Sequence, residues 1–194
     1  MQFNHDNMIG VHLAEELVNL DVDGPWTRDA VAATLTRFLV RIVELDDELA
    51  ELRDWTRRLR AVFAATDTAA RCEVINELLA VGVRQVHLAM HDDFPPHLHF
   101  ARDEHRLTER VQAATIGGLA IFAVEARVGR MGLCSRPGCE HAYVDTSRNG
   151  RRAYCSAICG NGDAVQRYRE RKAADRRSTN DESNHPERVL LDAK

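Results

Sequence analysis

The chain has 194 residues, 44% hydrophobic and 29% charged, with a formal net charge of −4. That is enough chain to bury a core without disulfide staples, and the composition is that of a soluble globular protein. No run approaches the 18 or more apolar residues of a membrane span, and the first seven residues carry Asp6 but no Lys or Arg, so neither a membrane anchor nor a secretory signal is expected.

Apolar spacing predicts helices through most of the first 132 residues. Ile9, Leu13, Leu17 and Leu20 repeat at helical intervals until Gly24-Pro25. Val31, Leu35, Phe38, Leu39 and Ile42 form a second stripe. A third helix runs from about Asp46 to Ala65 with Leu49, Leu52, Leu59, Val62 and Phe63. Asp67 is placed to cap a fourth, which carries Val74, Ile75, Leu78 and Leu79 and stops near Gly82; Cys72 beside them reads as a small core residue. Arg84 to Met90 alternates instead. With a turn at Asp92-Asp-Phe-Pro-Pro96 and renewed alternation at Leu98 and Phe100, this predicts a β-hairpin. Its buried face would carry Val86, Leu88 and Met90, leaving His87, His91, His97 and His99 on a polar face. Four imidazoles there could bind metal or sense pH, but no Cys, Asp or Glu at ligand spacing joins them, so a solvated histidine-rich face is expected. A fifth helix, about Asp103 to Gly129, contains Gly117-Gly118. That pair is costly inside a helix, and a close helix crossing or a kink would explain it.

The last third is different. Cys134, Cys139, Cys155 and Cys159 follow the spacing C-x4-C-x15-C-x3-C, two close pairs separated by the length of a hairpin. In the cytoplasmic compartment expected here, such a set indicates a metal site before disulfides, and four thiolates suit one structural zinc ion. Between the pairs, Ala142 to Asp145 and Arg151 to Cys155 read as strands joined by a turn at Ser147-Arg-Asn-Gly150. Ser156 can then cap a helix bearing Cys159. A knuckle, a hairpin and a helix start make a treble-clef-like finger. The fold class is thus α+β: a mainly helical domain with a β-hairpin (1–132), a small zinc finger (133–177) and a disordered polar tail (178–194).

Charge divides the same way. Residues 1–132 carry 14 Lys+Arg against 21 Asp+Glu, residues 133–177 carry 10 against 5, and residues 178–194 carry 2 against 4. A zinc ion with four thiolates would trim the finger's +5 to about +3. Besides Arg136, its cations are Arg148, Arg151 and Arg152 on the hairpin, then Arg167, Arg169, Arg171 and Lys172 along the helix, with Arg176 and Arg177 beyond. Arginine bonds phosphate and guanine edges bidentately, so these residues are the candidate DNA contacts. Ile158, Val165 and Tyr168 give the helix an apolar stripe, expected to pack on the hairpin. The alternative for the arginines is a solvated face with pairs such as Arg167 with Glu170.

The stretch Cys134-Ser-Arg-Pro-Gly-Cys139, Tyr143-Val-Asp-Thr-Ser-Arg-Asn-Gly-Arg-Arg152 and Tyr154-Cys-Ser-Ala-Ile-Cys-Gly-Asn161 resembles the CGNR-type zinc finger. The region before it, through Ile75-Asn-Glu-Leu-Leu79, Pro96-His-Leu-His-Phe100 and the long helix that follows, is similar to the ABATE domain that usually precedes this finger. The resemblance implies a stress-induced bacterial transcription regulator, with the four cysteines as zinc ligands, Asp145 and Ser147 as bracing residues, and Arg151 and Arg152 as contacts. The chain departs from the motif at Gly162, where the family has arginine.

The expectation is a DNA-binding regulator whose N-terminal domain senses a small molecule or forms a homodimer. A protein- or RNA-binding adaptor is the alternative. No phosphate loop, nucleophile elbow or paired carboxylates with a base occur at meaningful spacing, so no enzyme activity is expected.

Overall fold

A computed structural model describes residues 5–90, 96–102, 104–126 and 130–183. The chain forms two compact units, Met1–Cys155 and Ser156–Lys194. The boundary expected before Leu133 falls inside the first.

The first unit begins with α1 (His5–Asp23) and α2 (Arg28–Arg37), followed by a 3-10 turn at Asp46–Glu48 that leads into α3 (Leu49–Ala64). Next come α4 (Thr68–Gly82), the strands β1 (His87–Ala89) and β2 (His97–His99), and α5 (Leu107–Glu125). β3 (Met131–Leu133) and β4 (Ala142–Val144) complete it. The second unit is α6 (Ala157–Ser183). No described helix is long and apolar enough to cross a membrane.

α1 lies at the centre of the first unit. Its Val11, Ala14 and Val18 enter one apolar cluster with Trp55, Phe63, Ile116 and Phe122, while Leu13 and Leu17 enter another with Val31, Leu35, Leu52 and Val111. A helix buried on two sides carries more than the single stripe that periodicity detects. α5 crosses it through small residues. A Cβ on Gly10 would lie 2.1 Å from the Ala114 carbonyl oxygen, and one on Gly117 would strike the Phe100 ring at 2.4 Å. Close approach, rather than a kink, is what these glycines serve.

Several buried polar side chains tie the helices together. Trp55 Nε1 donates to Thr115 Oγ1 at 3.0 Å. Arg71, only 6% exposed, donates from Nε to the Val62 carbonyl at 3.0 Å and from Nη2 to that of Ala65, closing the C-terminus of α3. Asp67 caps α4 as expected, accepting from the Ala70 N–H at 2.9 Å.

Four expectations change. The second stripe does not make one helix: α2 ends at Arg37, and Leu39 adopts φ 58°. The N–H groups of Leu39 and Val40 turn back to the carbonyls of Thr36 and Leu35, both at 3.0 Å, a Schellman-type stop with leucine where glycine is usual. Cys72 is exposed, because the inward positions of α4 are Arg71, Ile75, Leu78 and Gly82. The β1–β2 hairpin exists, with His87 opposite His99 and Ala89 opposite His97, but its faces are inverted. Val86, Leu88 and Met90 are exposed, whereas His97 is buried. Alternation sets which residues share a face; it does not say which face meets the core. Finally, α6 extends through Ser183, into the segment expected to be a disordered tail. His91, most of the expected turn at Asp92–Pro96, the outer ends of the expected fifth helix and residues 184–194 lie outside the described residues.

Candidate metal centre

β3 and β4 are antiparallel, pairing Met131 with Val144, Gly132 with Tyr143 and Leu133 with Ala142. The Cys134 N–H extends the ladder to the His141 carbonyl at 2.8 Å. The loop between them turns through Arg136-Pro137-Gly138-Cys139, closed by the Cys139 N–H on the Arg136 carbonyl at 3.0 Å, with Gly138 at φ 77°. Proline then glycine at the central positions is the pair a type II turn requires. The Ser135 N–H donates to the Ala153 carbonyl at 2.8 Å, which draws the chain carrying Cys155 alongside. Ser156 caps α6, its Oγ accepting from the Cys159 N–H at 3.2 Å and its carbonyl from the Gly160 N–H at 3.2 Å.

This places the sulfurs of Cys134, Cys139, Cys155 and Cys159 within 4.8 Å of one another. Cys139 Sγ and Cys155 Sγ are 3.7 Å apart. A tetrahedron with Zn–S bonds of about 2.3 Å has S···S edges of about 3.8 Å. A disulfide would need about 2.05 Å. The donors fit one zinc ion, and four thiolates fill its shell, so its contribution is structural. Among the described residues no other group of three or more His, Cys, Asp or Glu has metal-binding spacing. His87, His97 and His99 do share the inner face of their hairpin, with His97 Nε2 and His99 Nε2 2.9 Å apart and the His87 and His99 rings edge-on at 5.4 Å, but they do not form a three-ligand set.

The sequence between the ligand pairs is held differently from the expected hairpin. β4 pairs with β3, not with residues 151–155, which form no strand. Asp145, 1% exposed, does the work of a ladder: Oδ1 accepts from the Ser147 N–H and Oδ2 from the Arg152 N–H, each at 2.9 Å. Burial alone would raise its pKa. Those hydrogen bonds, with the positive charge of Arg130, outweigh it and hold the carboxyl below its ordinary range. Arg130, which no motif in the sequence marks, donates from Nη1 to the Ser147 carbonyl at 2.6 Å, and its guanidinium would lie 2.8 Å from a Cβ on Gly150. No periodicity or motif marks such a residue; only the closed loop does.

The candidate DNA contacts fall into three situations. Arg152 is a brace. Its Nε donates to the Tyr154 carbonyl at 2.9 Å, its Nη1 to that of Val144 at 3.1 Å and its Nη2 to that of Cys155, with the guanidinium over the Tyr143 ring. Arg167 pairs with Asp163 at 2.8 Å one turn earlier, while Glu170 accepts from Gln166. Arg148, Arg151, Arg169, Arg171 and Lys172 are exposed. Ile158, Val165 and Tyr168 are exposed too, against the expectation that this stripe packs away. α6 runs unbroken through Gly160 and Gly162.

The β3–β4 loop, delivering Cys134 and Cys139, and a helix start, delivering Cys155 and Cys159, define a zinc finger. Residues 130–172 match the family model of the CGNR zinc finger. The match begins at Arg130 and so includes β3. No curated protein matches the chain.

Proposed function

We propose that the protein is a transcription regulator that binds DNA through its CGNR-type finger. The observation that carries this reading is the set of exposed cations, Arg148, Arg151, Arg169, Arg171 and Lys172, none in an ion pair with a described residue, on a segment that is basic within an acidic chain. Helix α6 is 27 residues long, about 40 Å at 1.5 Å per residue, and a major groove admits a helix. The metal holds the fold and does no chemistry. The N-terminal unit, ABATE-like by its sequence, serves sensing or dimerisation.

A mobility-shift assay with zinc-loaded protein tests this. Replacing Arg148, Arg151, Arg169 and Arg171 by alanine should abolish duplex binding while zinc content stays the same. Equal affinity would sink the proposal.

The exposed Ile158, Val165 and Tyr168 favour a second reading, an adaptor that binds a protein through α6. Pull-downs before and after nuclease treatment separate the two, because only the adaptor keeps its partner without nucleic acid.

A further inference from the structure

The first unit holds a pocket of about 370 Å³, within the range of small-molecule sites, between α1, the segment after α2, β2 with its continuation, and α5. Its walls are mostly apolar, including Phe38, Val40, Leu98 and Phe100. Arg41, Arg102 and Arg110 line it as well, and none of its described lining residues is acidic. The half-buried Arg110 is oriented by its own bond, Nη2 to the Arg41 carbonyl at 2.5 Å. His97, buried, and His99, half-buried, line the pocket from β2. At the rim stands Leu39, 85% exposed and in the left-handed region. A non-glycine residue held there is strained, and such strain gathers at ligand sites. Gly10 and Gly118, where α1 and α5 cross, keep the floor free of side chains.

We infer that this pocket binds a small organic anion with an apolar body, a carboxylate whose tail lies on Phe38 and Phe100 and whose head meets Arg102 and Arg110. Guanidinium and carboxylate match bidentately, and an apolar tail covering Leu39 removes exposed hydrocarbon from water. The inference is independent of the DNA reading, since it concerns binding to the N-terminal unit alone.

Calorimetric titration of the zinc-loaded full chain with octanoate, and with the uncharged octanamide as control, tests it. Octanoate should bind saturably, with at least tenfold higher affinity than octanamide. Arg110→Gln should lower octanoate affinity at least tenfold and Ala114→Phe should abolish binding by filling the pocket, each in a variant that still unfolds cooperatively on heating. If Arg110→Gln fails to fold, Arg102→Gln decides, with the same expected loss. No saturable octanoate binding, equal affinity for octanamide, or full affinity in the folded arginine variants would overturn the inference.

Discussion

His141 joins the metal site to the first helix: its Nδ1 lies 3.4 Å from Cys139 Sγ and its Nε2 2.5 Å from Asp23 Oδ1. The adjoining strand is clamped to the same helix. Asn19 accepts from the Ala142 N–H at 2.7 Å and donates to its carbonyl at 3.1 Å, and Glu15 accepts from the Val144 N–H at 3.1 Å. Met131, Ala142 and Val144 belong to the core cluster of α1, α3 and α5. The first half of the finger is therefore part of the helical fold, not an appendage to it. His141→Ala removes the group that orients Cys139, and outer-shell losses of this kind lower metal affinity about 10- to 100-fold. Competition with a chromogenic chelator measures it; unchanged affinity would make the contact incidental.

Arg152 and Arg151 are neighbours in sequence in different settings: Arg152 is bonded to three carbonyls and Arg151 is exposed. Arg152→Ala leaves three carbonyls near Cys155 without their donor, and we expect a loss of about 1–2 kcal/mol in urea denaturation. Arg151→Ala should leave stability unchanged and weaken DNA binding. Equal stability of the two variants would refute the assignment.

Glu48 supplies a pH test away from the metal. Its Oε2 accepts from the Thr108 N–H at 2.6 Å in the first turn of α5, with Arg106 Nη2 at 3.6 Å. Burial raises its pKa, but the bonds from Thr108 and the charge of Arg106 outweigh that and lower it below 4.5. A depressed folded value means that its stabilisation is complete above the unfolded pKa and is lost as pH falls through the folded one. Glu48→Gln should thus cost about 1–2 kcal/mol at pH 7, and the gap from wild type should close below pH 4.5. A gap constant with pH would contradict this.

Gly10→Ala places a methyl group against the Ala114 backbone, which cannot swing aside. Overpacking of this kind costs about 1–3 kcal/mol. Gly24→Ala, which meets nothing within 4 Å, is the control and should be neutral by thermal melting.

The sequence made the four ligands and the helix starts legible because their signals are local: cysteine spacing, Asp67 and Ser156 as caps, Gly24-Pro25 as a stop. What it hid is set by the tertiary fold. Leu39 continues an apolar stripe yet ends the helix through backbone turns that a leucine does not advertise. Leu88 and His97 alternate correctly, but which face turns inward is set by what packs against the hairpin, not by the alternation. Arg71 looks like a surface cation until the α3 carbonyls beside it are known. Asp145 replaces a strand ladder with two hydrogen bonds, so residues 151–155 stay irregular despite Asn149-Gly150.

The most direct test of the central claim is the salt dependence of duplex DNA binding by the zinc-loaded chain, followed by fluorescence anisotropy. With four or five exposed cations meeting phosphate, the plot of log Kobs against log salt should have a slope of about −4, and Arg169→Ala with Arg171→Ala should reduce it by about 2. Binding that is absent at low salt, or whose slope is the same in wild type and variant, would contradict the account.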